Sequence, residues 1–213
     1  MKFSLIQSVI GSLVLVFSCA LARGGEQEGG KPLGRKVRVP YASEDGPELA
    51  DLIRAISARR PGGRLLNLDR MLLNSPPLAG GWNTMIGAIR SQLEVPPKLR
   101  ELAIMAVAVL NSADYEYTQH REEFLAAGGT AAQLGALKDV QACAVDNELF
   151  DEQERASLQL VFEMTRQVVV ADSTVARLRS FMPDRQVVEL IGTVAAYNMV
   201  SRFLVALQIE PEE

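Results

Sequence analysis

PPKLRELAIMAVAVLNSADYEYTQHREEFLAAGG, residues 96 to 129, decides how this chain folds. Pro96-Pro97 marks a helix start, because the proline at the first helical position lacks only an amide that would have no partner there. Every position from Leu102 to Leu110 is apolar, and a helix apolar on all sides lies inside a protein. The NSAD connection is too short to lead away. The next segment, from about Asp114 to Ala127, takes Asp114 as its expected N-cap and Gly128-Gly129 as its stop. Two helices so joined run antiparallel, side by side.

The flanks repeat the helical pattern. PELADLIRAISARR (47–60) puts Leu49, Leu52, Ile53 and Ile56 on one face, turns Arg54, Arg59 and Arg60 away, and stops at the PGG of 61–63. Residues 65–93 hold a short helix, a proline-marked turn at Pro76-Pro77, and a second helix carrying Leu78, Trp82, Met85, Ile86 and Ile89. Thr130 caps a short helix over AAQLGALKD. Three further helices are expected over 151–170, 172–181 and 183–207, each opened by Asp or Pro. Val168–Val170 is too short to count as a strand. The fold class is therefore all-α, one compact helical domain over 45–213 built around a central antiparallel helix pair.

What precedes that domain has another use. Residues 1–22 combine Lys2, an apolar run from Val9 to Phe17, and Ala20-Leu21-Ala22 in the small-x-small pattern of signal peptidase. They read as a secretory signal, which places the protein outside the cell or in the secretory pathway with no stable membrane anchor after cleavage. The alternative is an uncleaved anchor, since the stretch approaches the ~20 residues that span a bilayer. Residues 23–44 form a flexible leader rich in glycine and charge. Losing Lys2 makes the net charge one unit more negative than its value of −4. An acidic chain without a basic stripe argues against a nucleic-acid partner. Losing Cys19 leaves Cys143 alone, so no intramolecular disulfide forms.

Chemistry concentrates around the chain's one histidine. Glu116 and His120 stand four apart and share a helix face, where a carboxylate can orient an imidazole for acid–base work. That spacing is equally common on solvated helices. Glu101 adds weight to the catalytic reading. It lies about 13 Å from the hairpin turn and His120 about 9 Å, at 1.5 Å per residue, so the two can face each other across the pair. A buried carboxylate needs a partner, and His120 is the candidate.

LRELAIMAVAVLNSADYEYTQHREEFLAAGGTAAQLGAL (99–137), followed in order by DRQVVELIGTVAAYNMVSRFLVALQIEP (184–211), resembles the carboxymuconolactone decarboxylase family, which includes the alkylhydroperoxidase-like redox proteins. The resemblance spans roughly Leu65 to Pro211. Redox members of that family carry a C-x-x-C pair ahead of the histidine. Here Ala113 and Glu116 stand in those places, while Glu101 and His120 match the family's glutamate and histidine. Thiol chemistry needs a thiolate and a resolving thiol, so the resemblance points to the decarboxylase branch. It implies a catalytic set of His120, Glu116 and Glu101, no metal or organic cofactor, a small-molecule substrate, and a homo-oligomer, trimer or hexamer.

By that resemblance the reaction is decarboxylation, or a related lyase, isomerase or dehydration step, on a small lactone, acid or carbonyl compound. The secretory signal departs from a cytosolic degradative role and suggests a step in secondary metabolism. Tyr115, Tyr117, Trp82, Tyr197 and Arg202 are candidate substrate-binding residues. Plainer readings are core packing for Tyr115, Tyr117 and Trp82, and a buried ion pair with Glu189 or another acid for Arg202. The competing functions are a non-catalytic oligomeric binding protein on the same fold and an antioxidant alkylhydroperoxidase-like protein.

Overall fold

The computed structural model describes residues 37–212, and no strand occurs among them. The expected signal and the leader up to residue 36 lie outside the described residues. The helices are α1 (Ala50–Ser57), α2 (Asn67–Leu72), α3 (Pro76–Ser91), α4 (Pro97–Leu110), α5 (Asp114–Ala126), α6 (Ala131–Ala136), α7 (Val140–Cys143), α8 (Glu152–Phe162), α9 (Asp172–Arg179) and α10 (Asp184–Leu207).

The apolar run of α4 is the centre of the core. Residues 102–107 are fully buried, with α5, α8 and α10 packed around them. Replacing Leu102 with alanine would cost roughly 2–5 kcal/mol, because such a site cannot collapse to fill the void. By length and composition α10 could cross a membrane, but half of that window is buried, and its Leu190, Val194, Tyr197 and Leu204 face the core.

The central hairpin forms with one local difference from expectation. Ser112 adopts φ 53°, and the sharp turn brings the Ala113 amide onto the Ala108 carbonyl at 2.9 Å. Ala113 therefore takes the N-cap position, and Asp114 becomes the first helical residue, where its charge still suits the helix dipole. At the other end Gly128 has φ 96°. A Cβ on Gly129 would stand 2.3 Å from the Phe124 ring, so α5 stops there.

Side-chain capping explains the next two starts. Thr130 Oγ1 accepts from the Gln133 amide at 3.1 Å, and the Gln133 side chain returns a bond to the Thr130 amide. Asp151 and Glu154 do the same at the head of α8. The helix expected over 151–170 is shorter. It passes into a π-helical turn at Glu163–Gln167 and breaks at Val168, φ 69°. The Glu163 carboxylate explains the change: it accepts from the Ala171 amide and the Thr174 hydroxyl and draws the chain into α9.

The leader placed at 23–44 ends earlier than expected. Val37, Tyr41 and Ala42 pack against the core. The Arg38 amide donates to Leu207 O at 3.0 Å and the Ala42 amide to Arg70 O at 3.1 Å. Apolar side chains in VRVPYA, absent from the glycine-rich part before it, account for the docking.

Candidate active site

The α4–α5 hairpin brings together the two groups that the sequence places on facing helices. Glu101 and His120 are both buried, and His120 Nδ1 lies 2.7 Å from Glu101 Oε2. Burial opposes charge on Glu101, but the His120 hydrogen bond and the nearby Arg90 and Arg100 outweigh it and hold the carboxyl below its usual value. Burial pushes His120 the other way, and despite Glu101 its ring stays below the ordinary imidazole range. The pair is therefore a carboxylate and a neutral imidazole at neutral pH. Nδ1–H donates to Glu101, which leaves Nε2 with its lone pair free to accept.

That Nε2 lies 3.4 Å from Arg90 Nη1 on α3. Arg90 also reaches Glu123 Oε1, at 3.3 Å, and so is held between α3 and α5. Tyr197 of α10 meets the imidazole edge-on, with ring centroids 5.1 Å apart. Ring, guanidinium and phenol come from three different helices.

Glu116 does not orient His120. The helix puts both on one side, but the imidazole turns to Glu101, and among the described residues neither Glu116 oxygen has a hydrogen-bond partner although the residue is 2% exposed. An unpartnered carboxylate in an apolar setting is costly, so the group keeps its proton. Burial lifts its pKa well above the usual carboxylate range. One turn of α5 thus carries a neutral acid and a neutral base with opposite assignments of the proton.

A cavity of ≈ 1030 Å³ joins these groups. Trp82, Tyr115, Glu116, His120 and Tyr197 all line it. Trp82 packs against Phe203 at 5.2 Å between ring centroids, so it serves wall and core together. Tyr117 and Arg202 are not on the wall. Tyr117 packs on the core, and Arg202 folds back along α10 onto Asn198 O and Oδ1. Glu189 does not pair with Arg202; it holds Arg185 at 2.9 Å. Five residues of helix turn Arg202 past the face that Tyr197 occupies.

Sequence reasoning missed Arg90. Trp82, Ile86 and Arg90 recur every four residues, and a cation continuing an apolar stripe is the signal that could have found it. It also missed the cations that the segment between α1 and α2 adds to the cavity lining, Arg59, Arg60 and Arg64. Arg60 is committed to Asp69, at 2.6 and 2.9 Å. Arg59 gives its Nε to Asn83 at 2.6 Å. Cys143 lies elsewhere, buried, with its Sγ 3.1 Å from Ala136 O. Burial, with Asp146 and Asp139 beside it, pushes that thiol up to about 11.

Comparison with known proteins agrees with this geometry. Residues 76–161, which contain Arg90, Glu101, Glu116 and His120, match the model of the carboxymuconolactone decarboxylase family. That central stretch is similar to the carboxymuconolactone decarboxylase family. None of the curated proteins matches it. Among solved structures it is similar to an uncharacterized peroxidase-related protein from Silicibacter sp. TM1040, with TM-score 0.68, 17% identity, and 88% of this chain and 96% of that chain covered. It is also similar to the debrominase Bmp8 in complex with 2,3,4-tribromopyrrole, with TM-score 0.67, 17% identity, and coverage of 84% and 94%. A third is the alkylhydroperoxidase AhpD core of a peroxidase-related protein from Ralstonia eutropha JMP134, with TM-score 0.67, 17% identity, and coverage of 83% and 93%. At such identity the likeness carries the fold.

Proposed function

We propose that this chain is an acid–base enzyme of the carboxymuconolactone decarboxylase type that needs no cofactor and acts on a small lactone, acid or carbonyl compound. One observation carries the reading: a single cavity holds a Glu101-oriented neutral imidazole and, one helical turn away, an unpartnered glutamic acid. Environments that drive two titratable groups apart assign the base and the acid.

The sequence alone put the acid–base work on His120, with a carboxylate to orient it. The geometry favours a division of work. His120 has its one N–H tied to Glu101, so Nε2 is a base, and Glu116 is the acid. In a decarboxylation, the bond between the substrate carboxylate and its neighbouring carbon breaks. CO2 leaves, and the electron pair moves through the unsaturated system onto a carbonyl oxygen. Arg90 offers its guanidinium N–H groups to that oxygen. Glu116 then protonates carbon and recovers its proton from water. In an isomerisation His120 Nε2 removes a proton beside the carbonyl, Glu116 supplies one at the new position, and the imidazolium then returns its proton to the Glu116 carboxylate by way of water.

The peroxidase alternative has less support, because Cys143 is outside the cavity and its thiol is held protonated. The debrominase, bound to a small unsaturated ring, is a precedent for such a ring in this fold. We place the enzyme in the secretory pathway, in secondary metabolism, and as a homo-oligomer. Val188 and Met199 on α10 and Leu78 and Met85 on α3 are apolar and exposed, which supports assembly. Light scattering of the purified chain checks the oligomer, and the N-terminal residue of the secreted protein checks cleavage after Ala22.

The deciding experiment incubates a metabolite extract with the native chain and with His120→Ala, both shown folded by circular dichroism, and compares products by untargeted mass spectrometry. A compound consumed by the native chain and spared by the variant supports the reading. Equal consumption by both would remove His120 from the chemistry.

A further inference from the structure

The same cavity holds a second polar centre that the acid–base pair does not use. The segment after α10 turns at Gln208, in left-handed conformation at φ 53°, buries Ile209, and returns along the cavity wall as Glu210, Pro211 and Glu212. The Glu212 carboxylate then meets three donors. Oε1 accepts from the Asn67 amide at 2.6 Å and from the Tyr115 hydroxyl at 2.7 Å. Oε2 accepts from Gln119 Nε2 at 2.6 Å.

Those donors sit next to the reacting groups. Tyr115 and Gln119 are four apart on α5, one position before Glu116 and His120 respectively, and all four side chains line the cavity. Tyr115 is buried, so its hydroxyl needs an acceptor. Asp69, a carboxylate that acts on Tyr115, is already held in two bonds by Arg60. The occupant is weakly tied by anything else. Glu210 and Pro211 are exposed, and among the described residues this stretch is further held by Asn67 Nδ2, which donates to Glu210 O at 3.0 Å, with the Tyr41 hydroxyl beside Glu210.

We propose that Asn67 N–H, Tyr115 and Gln119 form a carboxylate-binding subsite of the cavity, occupied by Glu212 of the chain itself, from which a small carboxylate ligand displaces it. The incoming carboxylate inherits the same donors, and its carbon skeleton then extends toward Glu116 and His120. Glu212 acts as a tethered competitor whose effective concentration is on the order of millimolar. Weak carboxylates are therefore kept out, and only a ligand that also gains contacts near Arg90 or Trp82 wins the place.

The test needs no turnover, so its failure is separate from failure of the acid–base reading. Benzoate and the uncharged benzamide are titrated by calorimetry into the native full chain, Glu212→Ala, and Glu212→Ala combined with Gln119→Leu. Benzoate is expected to bind Glu212→Ala at least about tenfold more tightly than the native chain. Benzamide should not distinguish the two, and the Gln119→Leu change should reverse most of the gain. Equal benzoate affinity in native and Glu212→Ala protein, with circular dichroism showing both folded, overturns the proposal and makes Glu212 a structural latch. A gain shared equally by benzamide overturns it as well, because it would reflect opened space and not a vacated carboxylate seat.

Discussion

Two glutamates are buried to the same 2% exposure and live in opposite surroundings. Glu154, where α6 meets α8, is paired: its Oε2 accepts from Gln133 Nε2 and the Asp151 amide, and its Oε1 has the Lys98 ammonium 2.6 Å away as an ion-pair partner. Glu116, on the cavity wall, has no partner at all among the described residues. The first is a charge whose cost of burial is offset by pairing, and it fastens three helices. The second is an isolated acid that packing alone would never favour, which is what a group kept for proton transfer looks like.

Breaking the Glu101–His120 pair should produce the largest effect. His120→Ala or Glu101→Gln is expected to lower kcat/KM by about 10²–10⁴-fold, the usual contribution of a positioned acid or base. Steady-state assays on folded variants check it. At the other glutamate the loss should appear in stability. Glu154→Leu leaves Lys98 and Gln133 without their partner, and urea unfolding should register a loss of about 3–5 kcal/mol. Activity of whatever remains folded should be unchanged.

Glu116→Gln sharpens the contrast from the opposite side. With no bond to lose, stability should stay within about 1 kcal/mol of the native chain, while turnover falls at least about 100-fold. The pH profile carries the same signature. A reaction that starts by proton abstraction requires His120 deprotonated and Glu116 protonated, so its acid limb should fall below the usual imidazole range and its alkaline limb should follow the raised carboxyl. In unfolding experiments Glu116 contributes stability that is complete below the ordinary carboxyl value and is lost as pH rises through its elevated one, because the folded chain holds that proton more tightly. Glu116→Gln should remove that slope. The smallest effect belongs to Arg202→Ala, within about 0.5 kcal/mol and without change in turnover, because its bonds stay within its own helix.

Much of this was legible in the sequence wherever the signal was local or rested on one short connection. The uninterrupted apolar run of α4 announced its own burial. The caps at Thr130 and Asp151 were readable because they depend on neighbours three residues away. Glu101 and His120 could be paired from the NSAD turn alone, since a tight hairpin fixes which rungs face each other. The rule that served there misled at Glu116: sharing a helix face says that two side chains can meet, and the choice between two carboxylates was made by α4. Arg90 and Tyr197 reach His120 from thirty and seventy-seven positions away, across contacts set by how α3 and α10 lie on the hairpin. No periodicity encodes that. The return of Glu212 was hidden for the same reason.

The stretch matched by the family model begins at residue 76, while Arg59, Arg60 and Arg64 of the cavity lining lie before it. Reacting groups and these cations thus belong to separate lengths of chain, meeting only in space. On the proposed acid–base reading, changes between Pro47 and Leu73 would retune which molecules are admitted without touching the proton-transfer groups, and grafting that front portion from a relative onto this hairpin would exchange selectivity as a module.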